Sequence, residues 1–446
     1  MPNINEQPKA YVSWPSAPLT DTLVKKSLHN LGLSEQVVDS IPSSYATLIQ
    51  WSTYDSIEHS LVNDNAQAVL SSSYIIRKAL IRKHFLSRCI LNYLTKHPES
   101  LLKNGTLQTW DIELSFADEL DEMWTDDLYD LGNQLEASPS HWWILKPGMA
   151  DRGMGIRMFN SKLGLQDIFE EFEESADSDE EGDESTSVMV SQLRHFVIQK
   201  YLPTPLLMDP SQSLKAGSDA LQGYKFHLRT YCIASGSLTV YMYTRVLALF
   251  SSVPYVSPSE QAHEDRLLPS DLAAHLTNTC LQMHRGEQGV RLFNDLIGCD
   301  VLSGLGDGKR RMLTQQDIEL ILQQMADVLS ETFKAALEMP VHFQVLPNAF
   351  ELYGVDFLVS HEPDCKESRF PFQVKLLEVN AEPAIEMTGP TLTWILEDMF
   401  NAIGQVCVEP FLRGTKISPD GDEWHVGEVH HNLHKCLEVQ VRGLGA

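Results

Sequence analysis

Three stretches of this sequence carry residue types that could bind and activate a phosphorylated substrate. Lys225-Phe226-His227-Leu228-Arg229 alternates cationic or cationisable residues with apolar ones. Residues two apart in a strand share a face. Lys225, His227 and Arg229 would therefore line one side while Phe226 and Leu228 pack on the other. An anionic ligand accounts for such a face, and a surface-edge strand is the alternative. Glu378-Val379-Asn380 repeats the spacing with two oxygen ligands, and Asp356, in the strand-like run Gly354 to Val359, could face them. Carboxylates and a carboxamide oxygen suit magnesium bridging nucleotide phosphates. Their neighbours Val355, Phe357, Leu376 and Leu377 are apolar. An acid there is costly unless paired or metal-bound, which favours a functional reading.

The third stretch is Trp143-Ile144-Leu145-Lys146-Pro147, followed by Asp151-Arg152-Gly153-Met154-Gly155-Ile156. A strand ending in lysine and a loop with two glycines suit a polyphosphate, because glycines let backbone N–H groups approach the oxygens. Taken alone, a hairpin whose lysine stem is buried explains it as well. Two further patterns are set aside. Gly304 to Lys309 resembles a phosphate loop, but Arg310 stands where Ser or Thr is needed and the glycine spacing is wrong. His425, His430, His431, His434 and Cys436 lack a zinc-finger framework.

These residues need strands to hold them. Hydrophobic periodicity predicts a small α/β unit from Lys9 to Val62, with strands at Tyr11–Trp14 and Ala46–Trp51 and a helix at Asp21–Leu31. A helical stretch from Ile75 to His97 follows. Its basic start (Arg77, Lys78, Arg82, Lys83) reads by itself as a solvated face. Strands are expected within Trp142–Phe159 and at His195–Leu202, Lys225–Ala234, Thr239–Phe250, Phe350–Val359 and Phe372–Asn380. Helices are expected at Leu313–Ala336 and Thr391–Phe411. The division is an N-terminal α/β subdomain (1–74), a central subdomain (75–202), a C-terminal subdomain (203–412) and a weakly specified tail (413–446). The acidic, Ser-rich segment 170–187 reads as a disordered insertion.

Composition excludes several classes. The hydrophobic fraction, 43%, is that of a globular protein. The net charge of −27 argues against general nucleic-acid or anionic-membrane binding. The seven scattered cysteines form no CxxC pair and read as reduced thiols. No signal peptide and no membrane span is expected.

With these motifs in order, the sequence resembles the tubulin-tyrosine-ligase-like family, whose fold is ATP-grasp. The likeness runs from Ile75 to Phe411 and is more diffuse in the N-terminal unit. WILKPGMADRGMGI resembles the family's lysine strand and glycine loop, VIQKYLPTPLLM its adenine hinge, and YKFHLR its Lys-x-Asp-x-Arg strand. His275-Leu276-Thr277-Asn278 with Cys280-Leu281-Gln282 resembles a specific family motif, and Arg77-Lys78-Ala79-Leu80 its N-terminal basic helix.

The resemblance implies an α/β (α+β) ATP-grasp fold with a small N-terminal α/β subdomain. It implies that ATP is held by Lys146, Arg152, Gly153, Gly155, Gln199, Lys200, Tyr201, Leu202, Lys225, Thr277 and Asn278. Mg²⁺ would be held by Asp356, Glu378 and Asn380. Lys225 and Arg229 would serve catalysis, Arg229 by clamping an acyl phosphate or acidic acceptor. The implied activity is ATP-dependent addition of an amino acid to a protein carboxylate. Tubulin is the default acceptor and tyrosine a candidate donor, and the enzyme would be a cytoplasmic monomer. Two positions depart from the family pattern: His227 replaces an acid, and Leu249 replaces an arginine of the tyrosine ligase. Arg245, four residues earlier, sits about 13 Å away at strand rise. The likeness is greatest to a branch with KFHLR that includes fungal processing-body proteins. The alternative function is therefore a nucleotide-binding scaffold in mRNA decay.

Overall fold

The computed structural model describes residues 7–138, 140–148, 155–177, 194–212, 220–261, 265–277, 289–304, 311–361, 371–414 and 424–439. The N-terminal unit is a parallel sheet ordered β2-β1-β3-β4, made of β1 (Lys9–Ser13), β2 (Val37–Val38), β3 (Leu48–Ser52) and β4 (Val69–Ser71). Helix α1 (Pro18–Asn30) crosses between β1 and β2 and buries Leu23, Val24 and Leu28 at helical spacing. Proline in its first turn is favourable, since no intrahelical N–H bond is lost there.

A five-stranded antiparallel sheet forms the floor of the central region. Its strands are β5 (Thr109–Glu113), β6 (Trp143–Pro147), β7 (Arg157–Phe159), β8 (His195–Lys200) and β13 (Arg266–Leu267), in the order β13-β7-β6-β8-β5. Helix α2 (Lys83–Lys96) packs against β5 and β8. Helix α3 (Lys162–Asp177) covers one face through Leu165, Ile168, Phe169 and Phe172. This corrects the expectation of disorder from residue 170. The acidic segment begins as a helix, anchored by Phe172 stacked on Phe196 and by Glu171 bonded to Arg157 and Arg266. Residues 178–187 of that segment lie outside the described residues.

The third sheet, with nine strands among the described residues, is built around β10 (Tyr224–Ser235). On one side β10 pairs with β17 (Phe350–His361), which pairs in turn with β18 (Phe372–Ala381). On the other side lie β11 (Thr239–Tyr243) and β12 (Leu247–Phe250). The sequence predicts one strand from Thr239 to Phe250; it is broken at residues 244–246, where Arg245 leaves the ladder. Beyond β11 the tail contributes β19 (Val429–His430) and β20 (Leu433–Glu438). The segment that looks weakly specified in sequence thus becomes edge strands, and buried Leu433, Cys436 and Leu437 tie it to the cores.

Helix α4 (Gln315–Leu337) packs across one face of this sheet through Ile318, Ile321, Met325, Val328, Leu329 and Phe333. Each such side chain contributes roughly 1.5–3 kcal/mol on burial. Thr314 and Asp317 form a reciprocal capping box at its start, worth about 1 kcal/mol. The opposite face is covered by α1 and α5 (Thr393–Ile403). No helix among the described residues is long and apolar enough to cross a membrane.

Candidate functional site

The site lies where the floor sheet meets the end of the β10–β17–β18 ladder. Along β10 the alternation works as the pattern requires. Phe226 and Leu228 enter the core under α4, while Lys225 and His227 face a cleft. The register of the ladder places Arg229 opposite Asp356 and Asp356 opposite Glu378. Asn380, two residues on, lies opposite Gly354. Cross-strand partners share a face, so a cationic row and an oxygen-ligand row are brought side by side.

Arg229 grips Asp356 with two bonds: Nε to Oδ1, and Nη2 to Oδ2 at 2.7 Å. His227 Nε2 lies 3.4 Å from Asp356 Oδ1, and its Nδ1 is 2.6 Å from Thr277 Oγ1. Burial alone would raise the Asp356 carboxyl, but Arg229 and His227 overcome it and hold the acid well below its usual range. Burial likewise opposes ionisation of Glu378, but Lys83, 3.2 Å away, together with Lys146 and Arg229 outweighs it, and the net shift is downward. Both acids are therefore carboxylates at neutral pH.

Lys146 and Lys225 stand differently. Lys146 Nζ donates to Gln199 Oε1 at 2.7 Å. Lys225 Nζ reaches Tyr201 Oη at 3.5 Å and lies 4.5 Å from its ring centre. Neither has a carboxylate at ion-pair distance among the described residues. Burial pushes Lys146 down to about 8 and Lys225 down to about 7. Glu378 pulls Lys146 upward and Lys83 pulls it downward, while Lys225 is lowered further by Lys146. A buried and a half-buried lysine, bonded only to neutral oxygens, make a site that gains by taking in a polyanion.

The apolar wall of the cleft is formed by Ile144, Ile156, Tyr201, Leu202, Leu276 and Leu358. Gly155 adopts φ +68°, which needs glycine, as a tight phosphate turn would. Lys200 lines the cleft, although its ammonium lies 5.9 Å from the Trp143 ring. Arg152, Gly153 and Asn278 lie outside the described residues.

The sequence reading assigns no site role to two sets of residues here. Lys83, taken as part of a solvated face, points instead at Glu378. The available signal is its position, since a cation in a first helical turn opposes the helix dipole and calls for a nearby anion. His275 and Gln261 form the other set. His275 Nδ1 is 2.9 Å from Tyr201 Oη, and its Nε2 is 2.8 Å from Gln261 Oε1. Burial lowers His275 to about 3, with Lys225 adding to the effect, so the ring is neutral. Its one N–H then donates to Gln261, and Nδ1 accepts from Tyr201. The phenol oxygen is left to accept from Lys225, which fixes that ammonium in the cleft.

Asp356, Glu378 and Asn380 fit a hard divalent cation. Two carboxylates converge with a carboxamide whose nitrogen is 3.4 Å from each. The amide nitrogen and oxygen are interchangeable by a flip, which would present a third oxygen to a metal.

Leu249 is opposite His227 in register, on the same face, and is buried among apolar residues. Arg245 does not replace the missing arginine. It pairs with Asp398 at 3.4 Å and covers the Trp394 ring at 4.5 Å, both on α5.

A model of the tubulin-tyrosine ligase family matches residues 71–416. A Saccharomyces cerevisiae protein named probable tubulin–tyrosine ligase PBY1 is 34% identical over 411 residues, covering 89% of this chain and 49% of that protein. The chain thus spans about half the length of that relative. A Schizosaccharomyces pombe probable tubulin–tyrosine ligase is 35% identical over 383 residues, covering 82% of this chain and 84% of the relative. The crystal structure of the C-terminal domain of K. lactis Pby1 is described as that of an ATP-grasp enzyme interacting with the mRNA decapping enzyme Dcp2. It aligns over 97% of this chain and 100% of that domain, with a TM-score of 0.66 and 29% identity. The fold is ATP-grasp, as the motifs imply.

Proposed function

Because the chain belongs to the tubulin-tyrosine ligase family, we propose that it is an ATP- and Mg-dependent carboxylate–amine ligase. The observation that carries this reading is that Lys146 and Lys225 line one cleft with Asp356 and Glu378, beside which Asn380 lies. Lys146 and Lys225 would hold the phosphates of ATP, and Gln199 and Tyr201 hold those lysines in place. Magnesium, held by Asp356, Glu378 and Asn380, would neutralise charge on the phosphates. An acceptor carboxylate oxygen attacks the γ-phosphorus, the bond to the bridging oxygen breaks, and ADP leaves. An amine then attacks the acyl carbon, inorganic phosphate departs, and the amine gives up a proton. Arg229 is placed to hold the acyl phosphate, because its guanidinium is fixed in plane by Asp356 and charged at every relevant pH. No side chain serves as a nucleophile; catalysis is positioning and charge stabilisation.

Tubulin is the first acceptor to try, with tyrosine among the donor amino acids. The test is intact-mass analysis of tubulin, and of candidate mRNA-decay proteins, incubated with this protein, Mg-ATP and mixed amino acids. A mass gain equal to one or more amino-acid residues supports the ligase. A second reading, a nucleotide-binding scaffold in mRNA decay, is favoured by one specific observation: Leu249 and the diverted Arg245 leave the acceptor side one cation short. The similarity to a domain described as interacting with Dcp2 supports trying decapping factors as partners. Absence of any mass gain with every acceptor would favour this second reading. Five buried free cysteines among the described residues favour the reducing cytoplasm as the place of action.

A further inference from the structure

A second cavity, of about 280 Å³, lies between the N-terminal unit and the β10–β17–β18 sheet, apart from the nucleotide cleft. Its apolar wall is aromatic: Trp14, Trp51, Phe350 and Phe400. Trp51 stacks on Phe400 and meets Phe350 edge-on, so the wall is rigid. Charge at the cavity is one-sided. Arg77 is consumed by Glu351, to which it is hydrogen-bonded at the buried base. Glu382 and Glu386 remain, both exposed at the rim. Their bonding partners are neutral. Glu382 accepts from Thr53 Oγ1 at 2.8 Å and from the Tyr54 N–H at 2.7 Å, and Glu386 accepts from Thr20 Oγ1 at 3.4 Å. No cation pairs with either at ion-pair distance among the described residues. Arg77 acts on Glu382 through space.

The cavity also adjoins the reacting centre. A side-chain carbon added at Gly354 would sit 2.8 Å from Pro383 Cβ and 3.5 Å from Arg229 Cδ. Pro383, a wall of the cavity, is thus one side chain's width from the guanidinium assigned to the acyl phosphate.

We propose that this cavity receives a lysine or arginine side chain of the acceptor polypeptide, close in its sequence to the carboxylate held at Arg229. The inference rests on the ligase reading for the words "acceptor polypeptide". An apolar stem would lie against Trp14, the half-buried ring of that wall, and the cationic head would meet Glu382 and Glu386. An acidic side chain would bring like charge to the same rim. The preferred acceptor is then a chain with a basic residue near its reactive carboxylate, rather than a uniformly acidic tail.

The test is ¹⁹F NMR of the full chain labelled with 5-fluorotryptophan, with the Trp14 and Trp51 signals assigned through Trp14→Phe and Trp51→Phe. The probes are Nα-acetyl-lysinamide, Nα-acetyl-norleucinamide and Nα-acetyl-glutamic acid amide. Lysinamide is expected to shift the Trp14 or Trp51 signal saturably and to bind more tightly than norleucinamide. Glu382→Gln with Glu386→Gln should weaken lysinamide about fivefold, as the loss of two partly exposed charge contacts implies, and should leave norleucinamide unchanged. An intact Mg-ATP melting shift in the double variant would show that it is folded. Equal binding of all three probes, preference for the acidic probe, or no response from either tryptophan would overturn the proposal. Charge-selective binding in a protein that transfers no amino acid would leave the cavity's assignment standing and count against the ligase reading instead.

Discussion

Arg229 and Asp356 face one another in register on adjacent antiparallel strands, and two guanidinium nitrogens bond the two carboxylate oxygens. The same aspartate is the central member of the candidate metal set, so Arg229 and a metal ion would share it. Removing one member of a buried ion pair leaves an uncompensated charge, which costs about 3–5 kcal/mol. Arg229→Ala should therefore destabilise the free protein strongly at neutral pH. Paired, the Asp356 carboxyl lies below its unfolded value, so its stabilisation is present above that value and is lost as pH falls through the folded one. Unpaired, its pKa rises above the unfolded value and it costs stability at neutral pH. The gap between wild type and variant should shrink toward pH 4. Mg²⁺ should restore more melting temperature to the variant than it adds to wild type. Denaturation curves at several pH values, with and without Mg²⁺, check all three statements.

Arg229 should matter more to transfer than His227. A guanidinium carries a fixed charge in a two-pronged geometry, whereas His227 is tied to Thr277 through Nδ1. Measured by amino-acid incorporation at a temperature where both variants are folded, Arg229→Ala should abolish transfer and His227→Ala should only reduce it. The reverse ranking would make His227 the acceptor-side residue of this branch.

Binding of ATP should take up protons. In the free protein burial holds Lys225 at about 7 and Lys146 at about 8. Phosphate oxygens beside them would raise both. At pH 7.5 the uptake should be about one proton per ATP, and affinity should fall as pH rises from 7 to 9. Calorimetry in two buffers of different ionisation enthalpy measures the uptake directly. Identical apparent enthalpies would show that the lysines do not meet the phosphates.

The acidic segment divides at Asp177. Deleting residues 178–187 should leave ATP affinity within about twofold, because this run has no core-forming pattern in its sequence. Phe172→Ala should cost about 3 kcal/mol, because the ring is buried against Phe169 and Phe196. A deletion that abolished ATP binding would assign the segment to the nucleotide site.

The period-two alternation made most of this site readable in advance. Lys225, His227 and Arg229 alternate with core residues, and one pairing register then sets Asp356 against both Arg229 and Glu378. What could not be read depends on contacts between distant segments. Lys83 lies far in sequence from Glu378, and nothing local marks their meeting except its unfavourable place at a helix N-terminus. The Gln261–His275–Tyr201–Lys225 chain joins four separate stretches. Phe169 and Phe172 carried the helical period into the acidic run, but charge density obscured it. The tail strands lack a clear alternation of their own and are specified by the open edge of β11.

The assignment of the cleft is tested most directly by a calorimetric titration of Mg-ATP into the wild-type chain and into the Glu378→Gln, Asn380→Ala double variant, each repeated with EDTA. The wild type should bind one ATP in a magnesium-dependent manner, and the double variant should lose that dependence. Magnesium-dependent binding of equal affinity in both proteins would place the nucleotide elsewhere and contradict the assignment of the cleft.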